Sequence, residues 1–167
     1  MNKIIIMSML AVSTFAHSST IKDLEWCRDA VDQLSVVEQA INATRDSLDR
    51  ESRSLDYWAG TIKGRAEVID ARRKLLLDSP PSLEEYSVFN RDVVIFNQDV
   101  AALQNAVASW NSRNSRLVTT IGDHKTASEV YFGRCNGATA PQSTLEKVCG
   151  KDYKMSANKF CASFAFK

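Results

Sequence analysis

Helix breakers are scarce in this chain: three prolines and six glycines in 167 residues. Histidine is scarcer still, with His17 and His124 alone. No Cys-x-x-Cys, no metal-ligand spacing, no glycine-rich phosphate loop and no nucleophile elbow occurs. Acidic neighbours such as Asp49/Glu51 and Glu84/Glu85 fall where helices would expose them, as solvating or capping groups rather than catalytic acids. The chain is therefore read as a non-enzyme that needs no cofactor and no metal. An excess of either charge is also missing. The formal net charge is +1, and removing Lys3 from the 21 basic residues would leave 20 against 20 acidic. That balance gives no basic face for nucleic acid.

What is present begins with a leader. Lys3, the apolar run Ile4–Val12 and the small residues Ser13, Thr14, Ala16 and Ser18 follow the order of a secretory signal peptide. Cleavage is expected after Ala16, or alternatively after Ser18. The apolar run is short for a membrane span, and no cysteine follows the cut to carry a lipid, so no transmembrane anchor is expected. A periplasmic or secreted location follows. Four cysteines, Cys27, Cys135, Cys149 and Cys161, would then lie in an oxidising compartment, where an even count suggests two bridges.

The dominant pattern is a seven-residue repeat. Phe89-Asn90 returns as Phe96-Asn97, Leu103-Gln104 and Trp110-Asn111. Rows counted from Tyr86 (Val93, Val100, Val107) and from Phe89 (Phe96, Leu103, Trp110, Leu117, His124, Tyr131) alternate by three and four, as the a and d rows of a coiled coil do. The carboxamides flank that seam. Earlier in the chain, Leu34, Ile41, Leu48, Leu55, Ile62, Ile69 and Leu76 occupy seven consecutive heptads. Between the two blocks stands Ser79-Pro80-Pro81-Ser82. The prolines end the first helix, and Ser82-Leu83-Glu84-Glu85 is a capping box that starts the second.

The expected fold is all-α: a long antiparallel two-helix, coiled-coil-like hairpin over 20–135, turning at 79–82, with a small disulfide-bonded C-terminal helical cap over 136–167. Folding the chain near residue 80 brings position 27 opposite about position 133, which predicts a Cys27–Cys135 bridge and leaves Cys149–Cys161 by elimination. In the cap, Ser143-Thr144-Leu145-Glu146 matches a further capping box, Gly150 could end that helix, and a second short helix is expected around 156–164. Tyr153, Phe160, Phe164 and Phe166 are expected to pack back onto the hairpin. Gly122 and the polar seam residues Asn114, His124 and Ser128 predict a weak point, with a break or kink near Gly122. His124 reads as a satisfied seam histidine rather than a ligand.

The second helix carries two apolar rows against one firm row on the first. The excess is greatest beside the turn, where Leu75, Leu77, Val88, Val94 and Ile95 fall off the seam rows. Such a surface marks an interaction site, and these five residues are the expected partner-binding set. The partner would be a second copy, in a homodimer through this tip-proximal surface, or another envelope protein. The sequence thus points to an exported helical protein-binding or scaffold protein of a bacterial envelope. An inhibitor or immunity protein acting on a periplasmic toxin or hydrolase, or a periplasmic helical chaperone, fits the same features.

Overall fold

A computed structural model describes residues 19–79 and 81–166, except for the side chains of Ala165 and Phe166. The expected leader and Pro80 lie outside the described residues, as does the expected packing of the Phe166 ring. The fold is all-α. Helix α1 spans Ile21–Asp78 and helix α2 spans Leu83–Cys135, and the two pack against each other as a helical hairpin. After them come α3 (Gln142–Cys149), a 3₁₀ turn at Tyr153–Met155, α4 (Lys159–Ala162) and a second 3₁₀ turn at Ser163–Phe166.

Both long helices start on reciprocal caps. The Ser82 backbone N–H and hydroxyl donate to a Glu85 carboxylate oxygen at 2.9 and 2.8 Å, and the Glu85 N–H returns a bond to the Ser82 hydroxyl. The same box opens α1, where Thr20 and Asp23 exchange three such bonds. Each box satisfies N–H groups that the first helical turn leaves without partners. Hydrogen bonds to the charged form hold both carboxyls below their ordinary range: those from the Thr20 side chain and backbone at Asp23, those from the Ser82 backbone and side chain at Glu85.

Two expectations are corrected. Helical hydrogen bonding runs through Gly122 without interruption. A single glycine costs about 1 kcal/mol, and the rest of α2 carries it. Helix α3 starts at Gln142, two residues before the start that a Ser143 cap implies, with Pro141 at its N-cap and no side-chain cap bond. Glu146 pairs with Gln142 at 2.8 Å instead of with Ser143. Proline suits this entry because its missing N–H forfeits no helical bond. Gly150 does end α3, at φ +85°, where an L side chain would be strained.

The chain divides into two compact units: residues through Val37 with those from His124 onward, and Glu38–Asp123. The first, or terminal, unit holds the larger core. Leu24, Cys27, Cys135, Leu145, Val148, Tyr153, Phe160, Cys161 and Phe164 are buried there, with Trp26, Val31 and Tyr131 packed against them. Both bridges lie in it, Cys27–Cys135 and Cys149–Cys161, with Cα–Cα distances of 5.8 and 5.6 Å. Polar groups lock the C-terminal segment to α1. Arg28 donates to the Val148 carbonyl at 2.7 Å; Asn158 donates to the Arg28 carbonyl while its Oδ1 caps α4 at the Cys161 N–H. The Arg134 guanidinium lies 4.0 Å over the Trp26 ring.

The second, or middle, unit buries far less. Ile41, Leu48 and Leu117 are its buried core, flanked by Trp110 and Ile121. The Trp110 indole N–H donates to the Leu48 carbonyl at 2.9 Å. Other seam residues, among them Leu55, Ile62, Ile69, Leu76, Phe89, Phe96 and Leu103, are half-buried.

Two outcomes follow from the bridges and the caps. Replacing Cys27 and Cys135 by Ser should lower unfolding stability by about 4 kcal/mol, through loop entropy restored to the unfolded chain, as read from urea titrations. On acidification, the stability held by the Asp23 and Glu85 carboxylates is present above their ordinary values of 3.8 and 4.5 and is lost as pH falls through the lower folded values. The variant Thr20→Ala/Ser82→Ala should therefore start less stable at neutral pH and lose less between neutral and strongly acidic pH. An acid slope equal to that of the parent would contradict this.

Candidate binding surface

Two helices side by side have a seam and two open faces, and ion pairs distinguish the faces in the middle unit. Glu51 pairs with Arg113, Arg65 with Asp99, and Arg72 with Asp92, the last at 2.9 Å. The residue numbers of each pair sum to 164, which fixes one antiparallel register. The same register sets Trp58 level with Ala106, a large side chain across from a small one. One step along a helix turns a side chain by 100°. Ser52, Ala59 and Ala66 each follow a member of the ion-pair row, and Val93, Val100 and Val107 follow Asp92, Asp99 and Ala106. These residues therefore turn to the opposite face. We call the two the ion-pair face and the carboxamide face.

This register sorts the five residues expected beside the turn. Leu75 lies three residues after Arg72, Ile95 three after Asp92 and Val88 four before it, so all three flank the ion-pair face. Leu75 is 68% exposed, Ile95 is 43% exposed, and Val88 is half-buried. Leu77, 79% exposed, lies four residues after Arg73 and borders the carboxamide face. Val94 is two residues from Asp92 and points away from the seam, 54% exposed. Three of the five thus share one side, and the other two do not join them. Val68, 66% exposed and one heptad before Leu75, belongs with the three and was not anticipated. Its signal in the sequence is the heptad spacing 68–75, set among charged residues. Leu83, 91% exposed at the start of α2, was missed as well.

Farther along the ion-pair face is a cleft of ≈370 Å³ whose floor is Ile41, Leu48 and Leu117 and whose rim includes Thr44, Arg113 and Arg116. In the terminal unit, His124 is half-buried and its Nε2 lies 3.1 Å from the Leu34 carbonyl. A carbonyl only accepts, so Nε2 carries the proton. Burial raises the Tyr131 phenol above its ordinary value, which keeps it neutral. Among the described residues no group of three or more His, Cys, Asp or Glu side chains could hold a metal ion, and no helix is long and apolar enough to cross a membrane. Comparison with protein-family models, curated proteins and solved structures returns no match.

The His124 contact makes a structural role testable. His124→Ala should cost about 1 kcal/mol of stability, the usual worth of such a bond, and leave partner capture unchanged. Loss of capture in a fully folded variant would give His124 a functional role instead.

Proposed function

We propose that this is an exported, non-enzymatic helical protein that binds another protein of a bacterial envelope or scaffolds its assembly. One observation carries the reading: Val68, Leu75, Val88 and Ile95 form an apolar border around the Arg72–Asp92 pair, with three of the four exposed. Water-facing apolar side chains grouped around a charged pair suit a partner whose apolar residues cover the border and whose polar groups meet the ions. Two disulfides agree with an oxidising compartment. The leader pattern agrees with export. A rigid helical surface with this border needs no catalytic group to do its work.

The test compares surface and seam variants. Leu75→Ser/Val88→Ser/Ile95→Ser should melt close to the parent and lose a partner retained by the parent from envelope extract. Val94→Ser, which points away, should retain it. Leu48→Ala should instead destabilise the fold by about 2–5 kcal/mol, as expected for truncating a buried leucine, and half-buried Leu103→Ala by less. Early melting of the triple variant would make those residues core. A stable triple variant that still captures everything would move the site elsewhere.

A further inference from the structure

The carboxamide face of the middle unit carries a pattern of its own. Along α2, the row Leu83, Asn90, Asn97, Gln104, Asn111, Val118 contains no charge, in a protein that is 25% charged. Neither does the adjoining row from Tyr86 through Val93, Val100 and Val107 to Asn114. All six residues of the first row are exposed, Leu83 at 91% and Val118 at 63%. Apart from the unlike ends of the second row, Tyr86 and Asn114, both rows read alike in either direction about a centre near Val100. Leu83 mirrors Val118, Asn90 mirrors Asn111, Asn97 mirrors Gln104, and Val93 mirrors Val107. On α1 the small residues Ala59 and Ala66 turn to the same face. The 164 register puts their midpoint within about one residue, roughly 1.5 Å, of the α2 centre. The next row outward on α1 (Asp56, Lys63, Asp70) is charged, and Asp70 is already paired with Arg73 and Lys74.

We propose that a second copy of this chain occupies the carboxamide face, packed antiparallel about a two-fold axis beside Val100 to form a four-helix bundle. A two-fold interface must be self-complementary. A charged row rarely is, since like charges then meet. A carboxamide row is, because each group both donates and accepts. Here Asn90 meets Asn111, Asn97 meets Gln104 and Val93 meets Val107, and the exposed ends Leu83 and Val118 cover each other. The Ala59/Ala66 pair lets the two α1 helices approach at the same level. A strip from Leu83 to Val118 is about 50 Å long and two helices wide, roughly 1,000 Å² per copy, within the range of stable interfaces. The ion-pair face, with charges across its middle, lacks the dry centre such contacts have. This contact uses the face opposite the proposed partner border and does not rest on it.

Sedimentation equilibrium of the disulfide-intact chain should give twice the chain mass at micromolar concentration. Asn97→Glu/Gln104→Glu changes exposed positions only and places carboxylates against carboxylates across the axis. It should weaken dimerisation by roughly tenfold or more with an unchanged melting curve once monomeric. Asn97→Glu/Gln104→Lys places opposite charges together and should restore the dimer in a salt-sensitive way. Val100→Glu and Val100→Lys should each be monomeric alone and form a one-to-one heterodimer when mixed, because this position faces its own copy. A monomeric parent overturns the proposal. So does a dimer that survives both carboxylate variants, or one abolished by Leu75→Ser/Val88→Ser/Ile95→Ser, which would assign self-association to the partner border.

Discussion

Two helices packed side by side can bury one line of side chains, and the rest of this structure answers that limit. In the middle unit the line is occupied by Leu48 and its heptad neighbours on α1, set against Leu117 and its neighbours on α2. Even so, among the described residues there, Ile41, Leu48 and Leu117 alone are buried. At about 25 cal/mol per Å² of apolar surface, half-burial of the remaining seam leaves much of its hydrophobic stabilisation unused. The hairpin supplements it on one face with interhelix ion pairs. Exposed pairs of this kind are worth little individually. Their regular register matters more, because a slip would misalign Arg65–Asp99 and Arg72–Asp92 together.

The terminal unit meets the same limit with different means. Its C-terminal segment adds a third layer over α1 and α2, so Leu24, Cys161 and Phe160 become almost wholly buried. Short pieces such as α4 cannot hold a helical conformation alone. They are held by Asn158, which caps α4 and bonds α1 at once, and by the Cys149–Cys161 bridge. Cross-links and polar latches are concentrated in this unit. The middle unit contains no cysteine at all.

The fold was legible because periodicity, caps and cysteines agree. Seven heptads from Leu34 to Leu76, two proline residues and a Ser-x-x-Glu box leave little choice but two helices and a turn. The chain-folding arithmetic for Cys27 needed nothing further. The Thr20–Asp23 box is hard to read in the sequence because Asp replaces the usual Glu, and α3 begins two residues before the start that Ser143 suggests because Pro141 takes the cap position. Gly122 does not break α2 because a glycine lowers helix stability locally, whereas cooperativity over 53 residues decides whether the helix continues. The surface beside the turn was legible in composition and not in direction. Leu75, Val88 and Ile95 could be joined to Val68 and separated from Leu77 and Val94 only after the ion pairs fixed which residues face across the seam.

That register also gives the recurring aromatic–carboxamide pair a physical meaning. Phe89, Phe96, Leu103 and Trp110 enter the seam, and each following carboxamide stands about 100° away on the rim of one open face. A lysine or glutamate there would solvate the rim equally well, and the ion-pair face shows that this chain uses charge readily. On α2 neither this row nor the rows on its two sides carry a charge between Leu83 and Val118, which leaves that side of the helix with hydrogen-bonding capacity and no charge, while the charges of this face lie on α1 at Asp56, Lys63 and Asp70. The two open faces thus differ in the kind of contact they permit. The ion-pair face can discriminate a partner by charge placement, since like charges set together are costly. The carboxamide and valine rows of α2 can meet their own copies without repulsion.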